Sequence, residues 1–480
     1  MTLASSMVYL VRTCAGYGGT VPVIAPELPP EAPRSPALAA VRELLFTAGL
    51  DMRRFSSGGW NPLGDLIREG DRVMMKPNWV HHENASGAGL DCLVTHSTIL
   101  EAVLEYAALA RPSSIVVGDA PIQSCDFTLL RRRTGLDAVL ARARRRGIPV
   151  DFRDFRLIAM HGRSGPTIPT GRNPDQYVRF DLGAASFLDP VSGGSTRFRV
   201  TMYDPRAIES THGMARHQYL IAREAMDADV VINLPKLKTH RKACITGALK
   251  NMVGINGHKS YLPHHRKGGS DAGGDCYPGR GRLKAFLEEL LDRGNGSSGW
   301  YTRRLYQAVA SSTIRAGKKV AGSSFDLEGS WHGNDTVWRM ALDLQRILHY
   351  GRTDGTLDLS QRRMVVNLTD ALVAGEGEGP LAPVPAGARF LTLGMNAAAT
   401  EWVNATLVGL DPGRIPLIRA AFSNGPLALA SFPPEQIVVR LGDLSLSPEE
   451  AARENGCRVR PPAGWAGCCE SKSVEIPVVC

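Results

Sequence analysis

Four short apolar runs, each cut off by polar or turn-forming residues, constrain this chain more than any other feature. They are Val73-Met74-Met75, Ser114-Ile115-Val116-Val117, Val230-Val231-Ile232 and Met364-Val365-Val366. Continuous apolar runs of this length, alternating with helical stretches, suit buried parallel strands, whose two faces are both covered. A first strand is expected at residues 7–12, and helices at 36–50, 97–110, 219–226 and 398–409. The alternation predicts an α/β fold: a mostly parallel sheet with flanking helices. Residues 21–36 read as a loop, and 163–198 as loops with short antiparallel strands. Helical spacing dominates 282–350, which reads as a helical insertion covering part of the site. The α/β core then spans 1–281 and 351–440, and 441–480 is a loosely ordered tail with a short acidic helix at 447–455.

Each apolar run ends in polar residues. The first is followed by Lys76-Pro77-Asn78-Trp79, the second by Gly118-Asp119-Ala120-Pro121. The third is followed by Asn233-Leu234-Pro235-Lys236-Leu237-Lys238-Thr239-His240, the fourth by Asn367-Leu368-Thr369-Asp370. Open parallel sheets bind ligands beyond the carboxyl ends of their strands, where the loops diverge. Lys236, Lys238 and His240 alternate, so an extended chain points all three to one side. Residues 246–251, TGALKN, resemble a helix start, which suits a phosphate or carboxylate beside Lys250 and Asn251; the competing reading is surface charge after an edge strand.

The Gly-rich stretch 258–278 is long for a connection and reads as a lid. His258, His264, His265 and Asp275 within it suit a divalent metal by type, but their spacing matches no standard site. A lid that touches substrate without metal is the preferred reading. Residues 374–385, with Glu376 and Glu378 between glycines, read as an acidic loop or a plain turn. His96 is a general base or only a helix-start contact, and Asp335 stands before a helix that it can cap.

The net charge of +9 raises nucleic acid as a partner. Much of the local excess comes from Arg131 to Arg133 and from Arg142, Arg144, Arg145 and Arg146, in a stretch (129–147) that reads as one amphipathic helix with a solvated face. No nucleic-acid-binding motif accompanies it, so that partner stays a minor alternative. Nine cysteines include no CxxC pair. Cys14, Cys92, Cys125, Cys244 and Cys276 read as isolated reduced thiols, and Cys457, Cys468, Cys469 and Cys480 crowd the tail without metal spacing. No signal peptide precedes the first strand, and no apolar run reaches the roughly 20 residues that span a bilayer. The expected location is the cytoplasm, with no membrane partner.

At these residues the chain resembles the family called domain of unknown function 362 (DUF362). The resemblance rests on KPNWV at 76–80, VTHST at 94–98, GDAPIQSCDF at 118–127, INLPKLKTH at 232–240, TGALKNMVGINGHK at 246–259 and LPHHRKGG at 262–269. It implies an α/β fold and no agreed reaction. Many relatives carry a ferredoxin-like domain with CxxCxxC spacing; this chain has none, so no iron–sulfur cluster is expected. The motif order is also distantly similar to lactate racemase-like proteins, which set Lys and His beside an anionic substrate.

The expectation is therefore an enzyme using acid–base or metal-assisted chemistry on a phosphorylated or carboxylated metabolite. Lys76, Lys236, Lys238 and Lys250 would hold the anion, and Asn78, Asn233 and Asn251 would orient it. His240, His96, Asp119 and Asp370 would move protons. The alternative is a non-catalytic carrier of a ligand, metal or cofactor, which needs the contacts but no titrating base.

Overall fold

A computed structural model describes residues 3–14, 16–17, 35–160, 167–194, 196–201, 203–321 and 325–472. Its centre is a 12-stranded sheet. In chain order the strands are β1 (Met7–Arg12), β2 (Arg72–Pro77), β3 (Ser114–Asp119), β4 (Val150–Asp154), β5 (Val230–Leu234) and β6 (Lys236–His240). They continue with β7 (Cys244–Thr246), β8 (Met364–Glu378), β9 (Ala382–Ala386), β10 (Phe390–Gly394), β11 (Val438–Leu441) and β12 (Leu444–Leu446). Strands β8-β5-β2-β3-β4 lie side by side and all parallel. All four apolar runs fall in this block. Strand β10 then joins β8 antiparallel, and β1 extends the sheet beyond it.

Burial on both faces explains the run-like composition. Val73, Met75, Ile115, Val117, Val230 and Ile232 pack under helices α1 (Pro36–Thr47) and α2 (Ser97–Leu109). Met74, Val231 and Val365 point the other way, into a second core with Tyr219, Met252 and Ile255. A third core gathers Val8, Leu10, Phe390 and the helix Ala397–Leu407. No helix among the described residues is long and apolar enough to cross a membrane.

Several local expectations fail for identifiable reasons. The helix expected at 219–226 is strand Arg216–Ala222 followed by a single turn, Arg223–Asp227. Tyr219 and Ile221 alternate toward the core, a period-2 pattern that pairs antiparallel with Tyr177–Asp181. The helix expected over 129–147 is two helices, Phe127–Thr134 and Leu136–Arg145, because Gly135 sits at φ 76 and ends the first. Residues 246–251 start no α-helix: β7 ends at Thr246, and Lys250–Ile255 is a 3₁₀ turn. The acidic loop at 374–385 is instead a hairpin of β8 and β9. Of the loop expected at 21–36, residues 21–34 lie outside the described residues.

The C-terminal segment is not loose as far as Lys472, where the described residues end. Ala451, Ala452, Cys457, Val459, Trp465 and Cys469 are buried in the third core. The Trp465 indole N–H donates to the Arg241 carbonyl at 2.8 Å, which ties this segment to the turn after β6. Trp465→Ala is expected to lower stability by about 3–5 kcal/mol. Urea unfolding reads this directly, and an unchanged midpoint would mean that the segment contributes no packing.

Candidate functional site

Strand register assembles the site. In the central block Asn233 lies directly between Lys76 on β2 and Asn367 on β8. The three side chains therefore share one face, opposite the α1–α2 face, because Met74, Val231 and Val365 two residues earlier point the same way. A chain of amides runs across them. Asn367 accepts from Asn233 at 2.8 Å, Asn233 accepts from Asn251 at 2.8 Å, and Asn251 accepts from Asn78 at 3.0 Å. Asn251 also donates to the Lys76 carbonyl at 2.9 Å, and Asn233 to the Ala248 carbonyl at 2.9 Å. The TGALKN segment is thus fastened to the sheet by side-chain amides.

Two of the predicted anion holders are already neutralised. Lys76 Nζ lies 2.8 Å from Asp119, and Lys236 Nζ lies 2.9 Å from Asp370, with both lysines inaccessible to water. Asp119 also accepts from the Trp79 N–H, and Asp370 from the Tyr17 hydroxyl and from His96 N at 3.0 Å. Asp119 and Asp370, expected as proton carriers, are therefore committed to ion pairs. Gly254 lies over the first pair so closely that a Cβ there would stand 1.8 Å from Asp119 Oδ1. Tyr17, which sequence reading missed, joins Asp370, Lys236 and His96: its ring stacks on His96 at 3.7 Å. His96 itself caps α2, accepting from Thr98 N, with Asp91 at 3.7 Å from its other nitrogen.

The remaining cations form a different set. Lys238 is buried against the Asn78 side-chain oxygen and the Leu93 carbonyl. Burial holds its pKa well below the usual lysine value, and the charges of Lys236 and Lys250 add to the effect. Lys242, Lys250 and Lys259 keep some solvent contact, yet dense protein around them removes most of their hydration. None of the three has an ion pair or a side-chain hydrogen bond among the described residues. Burial, with Lys259 and Lys242 nearby, lowers Lys250 to about 7. Burial, with Lys242 opposing the carboxylate of Asp119, lowers Lys259 to about 8.

His240 is buried within reach of Lys250, Lys242, His264 and Lys238, and burial followed by these charges keeps its imidazole neutral. Its Nδ1 accepts from Lys242 N at 3.0 Å. Glu401, on the helix Ala397–Leu407, accepts from Leu249 N at 3.1 Å, and burial raises its pKa to about 7. A Cβ on Gly247 would collide with that carboxylate. Two cavities, of 930 and 580 Å³, lie away from this cluster, beside Trp60 and beside the amino ends of β2 and β3. Chemistry rather than void volume marks the site.

The four expected metal ligands do not come together. Asp275 receives Arg266 N, Asp335 N at 2.9 Å and the Thr336 hydroxyl at 2.6 Å, and so braces the loop. His258 accepts from Ser260 N, and His264 Nδ1 donates to the Leu262 carbonyl at 2.6 Å. Only His265 joins a group of possible ligands, with Cys276, which the sequence reading took for an isolated thiol, and Glu288, which it passed over. Glu376 and Glu378 hold the C-terminal segment through Arg460 N and Ala463 N, each at 2.8 Å. Asp335 pairs with Arg339, while Asn334 caps the following helix.

Residues 197–406 match the family described as Domain of unknown function (DUF362). The match covers fewer than half of the chain's 480 residues. The DUF362 match takes in Asn233, the lysines from Lys236 to Lys259, Asp370 and Glu401, but not Lys76, Asn78 or Asp119. A thylakoid-associated protein of Synechocystis is 48% identical over 52 residues, 11% of this chain and 16% of that protein. A solved structure from Thermotoga maritima is 12% identical, with a TM-score of 0.28, over 67% of this chain and 51% of that one. The chain thus spans a sixth of the first relative's length and about half of the second's.

Removing one partner of a buried ion pair leaves its mate charged without water. Asp119→Ala is expected to destabilise the protein by roughly 3–5 kcal/mol. Lys259→Ala, at a partly exposed and unpaired cation, should change stability by less than about 1 kcal/mol. Chemical unfolding of the two variants side by side tests the distinction; equal losses would show that Lys76–Asp119 is no special brace.

Proposed function

We propose that the cationic cluster binds the phosphate or carboxylate of a small metabolite, and that the chain is an enzyme performing acid–base chemistry on it. One observation carries this reading: Lys250 and Lys259 both feel the charge of Lys242, and none of the three has a carboxylate at ion-pair distance among the described residues, the Glu328 and Asp326 carboxylates acting on Lys242 only from farther away. Cations held together at the cost of hydration are stabilised when an anion enters, which restores to each the partner that burial removed. Lys238, at the end of the amide chain, would fix the anion's position. Lys76 and Lys236 would act indirectly, by holding β2, β6 and β8 in register.

The acid–base part rests on groups poised near neutrality. Lys250 and Glu401 both lie near 7, where a group can give and take a proton with little driving force lost in either direction. His240, kept neutral by burial and by the cations around it, would take up a proton at Nδ1 in place of the hydrogen bond from Lys242 N. An anion that neutralises Lys250 and Lys242 would make His240 more basic, so substrate entry itself would switch on the base.

The sign of the pH dependence follows from the two lysines. Each binds an anion in its protonated form, and that form declines as pH rises through about 7 for Lys250 and about 8 for Lys259. Sulfate serves as the probe, because it does not itself titrate in this range. Its affinity should fall as pH rises from about 6 to about 9, with proton uptake on binding near pH 8, read by calorimetry in buffers of different ionisation enthalpy. Lys250→Met should weaken sulfate binding at least tenfold at pH 6 and reduce the proton uptake to the share that Lys259 takes. Sulfate binding that is independent of pH and unaffected by Lys250→Met would refute the anion site. His240→Asn should retain sulfate while losing any turnover found in a metabolite screen.

A further inference from the structure

The Gly-rich loop holds a second chemical centre beside the cationic cluster. His265 lies on a two-residue strand, His265–Arg266, paired with Phe198–Arg199. Cys276 follows the loop's glycines, and Glu288 projects from the helix Arg282–Gly296. The three side chains are buried, and one ligand atom from each lies within 4.8 Å of the others. His265 Nδ1 is buried with no hydrogen-bond partner, and the buried Glu288 carboxylate faces the Cys276 thiol and the Tyr277 hydroxyl. An orphaned polar atom is uncommon in protein interiors, and one set among a thiol and a carboxylate calls for a partner.

We propose that His265, Cys276 and Glu288 form a zinc site, supplying nitrogen, thiolate and carboxylate ligands and leaving a fourth position for water or a bound molecule. The donor set suits zinc and rules out the hard cations. Zinc accepts all three ligand types, whereas magnesium and calcium require oxygen donors. Three protein ligands with one open position is the arrangement of reactive rather than purely structural zinc sites. Binding replaces the thiol proton: Cys276 S–H plus Zn²⁺ gives Cys276 S–Zn and one released proton, with no change of oxidation state.

The surroundings are built to hold such ligands still. Glu288 keeps its other oxygen on Gly268 N at 3.0 Å, and Cys276 N donates to the Gly268 carbonyl at 3.1 Å. Asp275, next to the cysteine, clamps the loop to Arg266, Asp335 and Thr336. A Cβ on Gly269 or Gly274 would strike backbone oxygens at 2.0 or 2.2 Å, so the loop closes only with glycine there. Lys242 is within electrostatic reach of His265 and Cys276 on one side and of His240, Lys250 and Lys259 on the other. The two centres are therefore neighbours, though the zinc site stands on its own geometry and does not depend on the anion reading.

The full chain, loaded with zinc sulfate and dialysed against metal-free buffer, should retain about one zinc per chain by elemental analysis. Cobalt(II) in its place should give a thiolate-to-metal charge-transfer band in the near ultraviolet. Cys276→Ser should lose that band and at least nine-tenths of the retained zinc, and Glu288→Gln should lower zinc affinity at least tenfold. Circular dichroism melts of the metal-free variants confirm that they fold. Wild-type protein that retains no zinc, or a Cys276→Ser variant that keeps zinc and the cobalt band, would overturn the proposal. Sulfate binding measured on chelator-treated protein reports the cationic cluster separately, so failure of one centre is distinguishable from failure of the other.

Discussion

Two lysine charges lie in the middle of this molecule with no water to solvate them, and much of the surrounding architecture answers to that. Lys76 meets Asp119 and Lys236 meets Asp370 at under 3 Å. Each aspartate lies on a strand, so each pair also bridges two strands: β2 to β3, and β6 to β8. A buried ion pair adds little net stability over well-packed apolar groups, but a mispaired one is severely penalised. Such pairs therefore act chiefly on alternatives. A slip of one residue in β2 or β8 would leave a bare charge in the core and would turn every side chain of that strand to the wrong face.

The amide chain extends the same constraint from the sheet to the loop above it. Asn251 belongs to a 3₁₀ turn, yet its side chain bonds to Asn78, Asn233 and the Lys76 carbonyl. Every one of those partners sits at a strand's carboxyl end. The turn carrying Lys250 and the strand carrying Lys238 are consequently held at fixed separation, although lysines brought that close repel. Glu401 supports the arrangement from behind by capping Leu249 rather than by pairing directly with a lysine. The result is a set of cations whose repulsion is contained by hydrogen bonds elsewhere.

The brace residues show where sequence reasoning reaches its limit. Lys76, Asp119, Lys236 and Asp370 were all legible as strand-end polar residues, since each follows an apolar run closely. Their pairing was not, because nothing local distinguishes a lysine that faces an aspartate on another strand from one that faces a ligand. Lys242 and Lys259 carry the same residue type as the lysines singled out, but lie in irregular backbone where period arguments give no direction. Tyr17 and Glu401 are far along the chain from the partners they meet, and Cys276 and Glu288 are separated from His265 by spacings that match no standard motif.

What the sequence determined by itself is the sheet. Apolar runs buried on both faces can satisfy their backbone only as interior strands, and polar residues after such runs must emerge at the strands' carboxyl ends. That reasoning needs only neighbours along the chain, so it reaches the α/β class, the four central strands and the edge at which chemistry gathers. The tertiary structure alone decided which charges are spent on one another and which remain. It likewise made a buried flank of the segment after β12 and brought a histidine, a cysteine and a glutamate within reach of one ion. Coulomb and hydrogen-bond energies depend on distance through space and on exclusion of water, and both are set by strand order and packing rather than by separation along the chain.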